Sequence, residues 1–100
     1  MTLALDIDRD RLAAFCRTHG IVRLAFFGSV LRPDAFRPDS DVDVIVEFAP
    51  DRVPGLMTFV RIQYELQDLL GRTVDLTTPD GLSPFIREDV LAQAQTAYAA

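Results

Sequence analysis

The stretch from Phe27-Gly28-Ser29 to Ser40-Asp41-Val42-Asp43-Val44-Ile45-Val46 joins a Gly-Ser turn to an Asp-x-Asp pair at the head of an apolar alternation. In a strand every second side chain points to the same face, and residues two apart are separated by about 6 to 7 Å. Asp41 and Asp43 are therefore predicted to share one face. The opposite face, which a core would cover, takes the apolar residues Val42, Val44, Val46 and Phe48. The sequence thus predicts two carboxylates that project from a rigid, buried strand.

The closeness of Asp41 and Asp43 predicts a metal site. Two neighbouring carboxylates repel each other, and one tends to stay protonated unless cations lie between them. Magnesium prefers oxygen ligands and is usually held by one or two carboxylates together with the phosphates of a substrate. A pair of such ions can bind the attacking and leaving oxygens of a phosphoryl or nucleotidyl displacement. We therefore expect two Mg²⁺ ions and a nucleoside triphosphate at this strand.

Two further parts of such a site can be identified in the sequence. Asp75 lies in a second short alternation, Thr73-Val74-Asp75-Leu76-Thr77, and is predicted to reach the same face from a neighbouring strand. Gly28 follows the apolar run that ends at Phe27, and a glycine there lets the backbone turn closely around a ligand. Backbone N–H groups of a strand-to-helix turn bind anions, and the Ser29 hydroxyl adds a donor for the phosphates.

These residues together resemble the minimal nucleotidyltransferases (MNT) of the DNA polymerase β superfamily, which are found as antitoxins of HEPN toxins. Gly28-Ser29, Asp41-x-Asp43 and Asp75 match the family pattern, and the similarity extends over nearly the whole chain. The resemblance implies that Asp41, Asp43 and Asp75 are catalytic and bind the metal ions. It also implies that Gly28, Ser29 and Arg32 bind the nucleotide, as phosphate ligands.

The resemblance implies an enzyme that transfers AMP from ATP to a hydroxyl group, a tyrosine of a partner HEPN toxin, and so acts as an antitoxin by AMPylation. One departure from the family pattern lies between Ser29 and Asp41, where eleven residues are one more than usual and Pro33 follows Arg32. Because an extra loop residue costs little, we expect the fold to tolerate it. The departure keeps open a second hypothesis, a non-catalytic antitoxin that neutralises its partner by binding alone.

A third hypothesis, nucleotide transfer to a small-molecule drug or to RNA, is disfavoured by size and charge. The chain has 100 residues and a net charge of −5, with ten arginines and no lysine. Such a length predicts one minimal nucleotidyltransferase domain over residues 1–100, without an acceptor-binding module. The acidic charge argues against a broad nucleic-acid surface, which needs basic residues to neutralise phosphates.

Composition also bears on the compartment. Residues with apolar side chains make up 49% of the chain and charged residues 25%, which is typical of a soluble globular protein. No apolar stretch approaches the roughly 20 residues that a membrane helix needs, and the acidic N-terminus lacks the basic start of a signal peptide. The single cysteine, Cys16, fits a reducing compartment. We therefore expect a cytoplasmic protein without a membrane partner.

The pattern of caps and periodicities predicts an α+β (α/β layered) nucleotidyltransferase fold, with a small mixed sheet of about three strands packed by about four helices. The first predicted elements are a helix capped by Asp8 or Asp10 and ended by Gly20, a strand from Ile21 to Phe27 and a short helix from Ser29 to near Pro33. The metal strand follows, and then a helix from Pro54 to about Leu70. The last elements are a strand from Thr73 to Thr77, a turn at Pro79-Asp80-Gly81 and a helix capped by Ser83.

Two helix surfaces are assigned from spacing alone. The long helix is expected to turn a polar face to solvent, formed by Arg61, Gln63, Gln67 and Asp68. The last helix is expected to offer an apolar docking surface for the acceptor protein, with core packing as the alternative, formed by Val90, Leu91, Ala94, Ala97 and Tyr98. Both assignments depend on a helical period of 3.6 residues.

Overall fold

Four strands and three α-helices follow one another in the part of the chain that the computed structural model describes, residues 6–32 and 34–100. In chain order they are α1 (Arg9–His19), β1 (Ile21–Phe27), β2 (Val42–Phe48), α2 (Leu56–Leu70), β3 (Val74–Thr77), α3 (Pro84–Gln93) and β4 (Gln95–Ala99). Two short 3₁₀ turns lie at Gly28–Leu31 and Pro79–Gly81. The class is the predicted mixed α+β fold.

The helix ends follow the local signals in the sequence. The Asp8 carboxylate accepts a hydrogen bond from the Arg11 amide at 3.1 Å and caps α1, which ends at Gly20 as predicted. Ser83 caps α3 by accepting a hydrogen bond from the Phe85 amide at 3.3 Å. The long helix begins at Leu56, two residues after the predicted Pro54. These caps satisfy backbone donors that have no partner inside the helix.

The strand order in the sheet is β3-β2-β1-β4. β2 runs parallel to β3 and antiparallel to β1, while β4 pairs antiparallel with β1. As a result, the end of β1 and the starts of β2 and β3 meet at one edge of the sheet. Phe27 is the register partner of Asp43, and Asp43 is in turn the register partner of Asp75.

The C-terminal segment differs from the prediction. The last helix ends at Gln93, and the chain then forms β4, in which Tyr98 is the register partner of Leu24. The strand and helix counts are therefore four and three in the described residues, where about three and about four were expected. The physical reason is that β1 would otherwise expose an unpaired backbone edge. The predicted helical docking surface is wrong for Ala97 and Tyr98, which pack against the core from β4.

The short helix expected from Ser29 to near Pro33 is a 3₁₀ turn over Gly28–Leu31. Its buried Val30 anchors the turn to the core, and the Arg32 amide closes it by donating to the Ser29 carbonyl oxygen at 2.9 Å. Pro33, at which the helix was expected to stop, lies outside the described residues. The turn keeps Gly28 and Ser29 directly at the end of β1.

Helices α1 and α2 contribute their apolar stripes to one core against the sheet. The fully buried members are Leu12 and Cys16 from α1, Leu24 and Phe26 from β1, Val30 from the turn after β1, Val42, Val44 and Val46 from β2, and Ile62 and Leu66 from α2. Burial of each large side chain contributes about 1.5–3 kcal/mol. The alternation predicted for β2 is confirmed, since its valines face this core. In the described residues no helix is both long enough and apolar enough to cross a membrane.

Candidate active site

Three carboxylates gather where β2 and β3 begin. Asp43 lies within β2 and Asp75 within β3, at the same register position of two parallel strands. Asp41 lies one residue before β2, exposed to solvent. The pKa of Asp43 responds to the charges of both other aspartates, which places all three within electrostatic reach. The structure therefore brings together the three acidic residues that the sequence selected.

The electrostatics of this cluster are unfavourable without a cation. Partial burial raises the pKa of Asp43, and the negative charges of Asp75 and then Asp41 raise it further. Burial disfavours an ionised carboxylate, and like charges nearby have the same effect. The chain thus holds Asp43 in a position where its charge costs free energy. A bound cation would offset that cost, and this is the situation expected of a metal ligand.

Gly28 contacts the middle aspartate of the cluster. Its φ angle is +76°, in the left-handed region that side chains rarely adopt. A Cβ atom at this position would also overlap the Asp43 carboxylate oxygen Oδ2. Only glycine therefore allows the turn after β1 to approach Asp43 so closely. The predicted phosphate-binding turn and the predicted metal strand are in direct contact in the structure.

The other two nucleotide-binding candidates lie in the same turn. Ser29 is half-buried, and Arg32 is exposed at the end of the turn. The Arg32 carbonyl oxygen accepts hydrogen bonds from the amides of Ala35 and Phe36 at 2.9 and 3.1 Å. The backbone at Arg32 is thus fixed, while its guanidinium extends from the side of the turn into solvent. Ser29 and Arg32 thus belong to the same turn as Gly28, the residue that approaches Asp43.

The strand that carries Asp75 is held from its outer edge by α2. The Gln67 side-chain oxygen accepts a hydrogen bond from the Val74 amide at 3.1 Å, and the Gln63 oxygen accepts one from the Leu76 amide at 3.4 Å. The amides on both sides of Asp75 are thereby bonded to one helix. The expectation that Gln63 and Gln67 face solvent is wrong, since both are half-buried against β3.

A sequence signal for these two glutamines exists but is ambiguous. Gln63 and Gln67 are four residues apart and lie on one face of a helix that directly precedes a strand. The same pattern is equally typical of a solvated helix face. The two glutamines face β3 and not solvent because β3 lies at the edge of the sheet, where its outward N–H groups need acceptors.

The donor set fits Mg²⁺ bound together with a triphosphate. In residues 6–32 and 34–100 no group of three or more histidine, cysteine or acidic side chains is placed so that it could hold a metal ion by itself. Magnesium does not require one, because it keeps several waters and takes phosphate oxygens as ligands beside one or two carboxylates. The raised pKa of Asp43 and the side-chain-free approach of Gly28 agree with such an open site.

Comparisons with known proteins agree with this geometry. A family model described as "Nucleotidyltransferase domain" matches residues 9–96. A protein adenylyltransferase, MntA of Thermococcus cleftensis, is 36% identical over 74 residues, which are 74% of this chain and 72% of that protein. A solved structure of a candidate minimal nucleotidyltransferase has 41% identity and a TM-score of 0.70, with 86% of this chain and 85% of that chain covered.

The fold also occurs in a solved complex of a tri-AMPylated Shewanella oneidensis HEPN toxin with an MNT antitoxin. The match has a TM-score of 0.66 and 18% identity, and it covers 92% of this chain and 70% of the other. At this identity the likeness concerns the fold alone. The match to the family model and the relatives at 36% and 41% identity show that the chain belongs to the nucleotidyltransferase domain family and is a nucleotidyltransferase of the minimal type that its motifs predicted.

Proposed function

We propose that this nucleotidyltransferase transfers AMP from ATP to a tyrosine hydroxyl of a HEPN toxin and thereby acts as its antitoxin. The observation that carries the proposal is the register of Asp43 with Asp75, with Gly28 packed against Asp43. This arrangement sets a carboxylate pair beside a turn that a phosphate chain can approach. The name of the Thermococcus cleftensis relative, a protein adenylyltransferase, supports a protein acceptor.

Asp41 and Asp43 would hold two Mg²⁺ ions, and Asp75 would complete the ligand set of one of them. When bound, Mg²⁺ supplies positive charge that neutralises the phosphates and stabilises the charge that develops in the transition state. Asp75 is exposed, so an incoming hydroxyl group can reach its carboxylate. In the reaction the tyrosine oxygen bonds to the α-phosphorus of ATP, the bond from that phosphorus to the bridging oxygen breaks, and pyrophosphate leaves. Asp75 accepts the proton of the hydroxyl group.

The turn after β1 would hold the β- and γ-phosphates. Gly28 presents backbone without a side chain, Ser29 adds a hydroxyl donor, and the exposed Arg32 guanidinium can pair with phosphate oxygens in two parallel hydrogen bonds. Because Gly28 and Ser29 belong to a turn that Val30 anchors in the core, their backbone is in place before the ligand binds. Such preorganisation lowers the cost of orienting the α-phosphorus for attack.

A partner protein must supply the acceptor hydroxyl. Helices α1 and α2 and the four strands build the sheet and its core, and the match to the family model covers residues 9–96. The open, solvent-exposed position of Asp41 and Asp75 suits a large acceptor that approaches from outside. We place the reaction in the cytoplasm, where ATP and Mg²⁺ are abundant and Cys16 stays reduced.

The test uses ATP labelled at the α-phosphorus, Mg²⁺, this protein and a HEPN protein as the proposed partner. Label on the HEPN protein, and no label from γ-labelled ATP, would support AMP transfer and exclude phosphorylation. Transfer should be lost in Asp43→Ala and retained in Asp51→Asn, which removes an exposed charge outside the site. If toxicity is neutralised without label, and also by an Asp41→Ala/Asp43→Ala variant, the protein acts by binding alone and the proposal is wrong.

A further inference from the structure

Arg72 bridges from the segment before β3 to the loop before β2. Its Nη2 atom donates hydrogen bonds to the carbonyl oxygens of Arg37 at 2.6 Å and Ser40 at 3.0 Å. Its guanidinium carbon lies 4.3 Å from the centre of the Phe36 ring. All three contacts are to Phe36–Ser40, 32 to 36 residues away in sequence. The Arg72 side chain thus binds the loop that leads into Asp41.

The Phe36–Ser40 loop is also held by hydrogen bonds within itself. The Ser40 amide donates to the Arg37 carbonyl oxygen at 3.0 Å, and the Arg37 amide donates to the Ser40 hydroxyl oxygen at 2.9 Å. On the other side of Asp41, the Val42 amide donates to the Thr73 carbonyl oxygen at 2.8 Å. The peptide groups on both sides of Asp41 are therefore bonded to the consecutive residues Arg72 and Thr73.

These contacts hold the backbone at Asp41, which the pairing of the strands does not hold. Asp41 lies before the first residue of β2 and is exposed, so no strand pairing of its own holds it. Asp75, by contrast, lies in register with Asp43 and is three residues after Arg72. A contact from Arg72 to Ser40 consequently ties the Asp41 backbone to the strand that carries Asp75.

We propose that Arg72 is a positioning residue that sets the place of Asp41 relative to Asp43 and Asp75, so that the three carboxylates can share their metal ions. The inference rests on the proposed function of these aspartates. Groups that orient metal ligands typically change metal affinity or activity by about 10- to 100-fold when removed.

The chemistry of the contact favours arginine over a generic positive charge. In the described residues Arg72 has no carboxylate within ion-pair distance, and its hydrogen bonds go to neutral carbonyl groups. A planar guanidinium can stack on an aromatic ring while its Nη2 donates to two acceptors, whereas a lysine ammonium is a compact charge on a flexible stem with no plane to stack. Arg72→Lys therefore separates the geometric role from the charge.

The chain offers a matched control in Arg87. Its side chain also bonds backbone carbonyl groups, those of Pro79 at 2.8 Å, Leu82 at 3.0 Å and Asp80 at 3.4 Å. These carbonyls follow the C-terminal end of β3, whereas the aspartates lie where β2 and β3 begin. Arg87→Ala thus removes a comparable set of hydrogen bonds without touching the Phe36–Ser40 loop.

The experiment compares wild type, Arg72→Ala, Arg72→Lys and Arg87→Ala in two assays. Mn²⁺ binding in the presence of a non-hydrolysable ATP analogue is measured by electron paramagnetic resonance, and kcat and KM for ATP are measured in AMP transfer with Mg²⁺ varied. We expect Arg72→Ala to weaken Mn²⁺ binding and lower kcat by about 10-fold or more, with a smaller change in KM and faster amide exchange at Ser40 and Val42. Arg72→Lys should lie between Arg72→Ala and wild type, and Arg87→Ala should keep wild-type Mn²⁺ binding.

Wild-type Mn²⁺ binding and kcat in Arg72→Ala would overturn the inference, as would an equal loss in Arg87→Ala. If Arg72→Ala does not fold, Arg72→Lys decides by the same two assays, and wild-type values there would overturn the inference. If the wild type binds Mn²⁺ but transfers no AMP, the proposed function fails. The comparison of Mn²⁺ affinities would then still decide whether Arg72 positions the carboxylates.

Discussion

Asp43 and Asp75 are register partners on two parallel strands, so the chain sets two carboxylates side by side at the edge of its sheet. Gly28 contacts the Asp43 carboxylate from the end of β1. Because neighbouring carboxylates destabilise each other, such an arrangement costs free energy in the protein alone. That cost and its relief by ligands give the site measurable signatures.

Asp43→Asn is predicted to stabilise the metal-free protein while abolishing AMP transfer. The substitution removes a partly buried charge that is repelled by Asp75 and Asp41. Since Asp43 is only partly buried, solvent screening keeps the gain small, about 0.5 kcal/mol, which raises Tm by about 2–4 °C in a domain of this size. Calorimetry in EDTA checks the prediction. A lower Tm in Asp43→Asn than in wild type would contradict it.

The stabilisation of the metal-free protein by Asp43→Asn should depend on pH. The pKa of Asp43 is raised above its ordinary value of 3.8, so the folded state retains a proton that the unfolded state has lost. The contribution of Asp43 to the free energy of unfolding is therefore fully present below about pH 4, and it is lost as pH rises through the raised pKa. We expect the Tm difference between Asp43→Asn and wild type in EDTA to be small near pH 4 and larger at pH 7. A difference that is constant with pH would mean that charge repulsion is not its cause.

Gly28→Ala is predicted to impair both folding and transfer. The alanine would have to adopt φ near +76° and its Cβ would overlap the Asp43 carboxylate. Strain of this kind costs about 1–3 kcal/mol, and displacement of Asp43 should lower kcat by more than the loss of folded protein explains. Gly55→Ala is the control, because a Cβ there meets no atom within 4 Å. Denaturant unfolding and initial rates of AMP transfer measure the two effects, and equal behaviour of the two variants would refute the prediction.

Gln67→Met should loosen the strand that carries Asp75. The Val74 amide would lose the acceptor that Gln67 provides at 3.1 Å, and a buried amide without a partner costs about 1–3 kcal/mol. Amide exchange at Val74 should quicken, and the rate of transfer should fall. Gln93→Met, at an exposed position at the end of α3, should change neither. Unchanged exchange at Val74 would show that the glutamine is not needed to hold β3.

The parts of the molecule that were predictable from sequence are those set by neighbours close in the chain. Alternation placed Asp43 opposite the buried valines of β2, and the caps at Asp8 and Ser83 depend on residues only two or three positions away. The match between Asp43 and Asp75 was predicted because each lies in a similar short alternation. Register itself then follows from the burial of one strand face.

The parts that were missed depend on neighbours far away in the chain. Within Gln95–Ala99, the residues Ala97, Tyr98 and Ala99 are also compatible with a helix. This segment forms a strand because it pairs with the otherwise open edge of β1. Gln67 has the polarity of a solvent-facing residue until β3 is placed against it. Arg72 likewise acquires its role only when the loop before Asp41 folds back over it. Propensity and period carry no information about such partners.

The central claim, that Asp41, Asp43 and Asp75 transfer AMP to a HEPN protein, is tested most directly by intact-mass spectrometry of that HEPN protein. After incubation with ATP, Mg²⁺ and the wild-type chain, we predict a mass increase of whole AMP units and release of pyrophosphate. No increase should occur with Asp43→Asn, even though that variant remains folded. An unmodified mass with the wild-type chain, or an equal increase with Asp43→Asn, would contradict the claim.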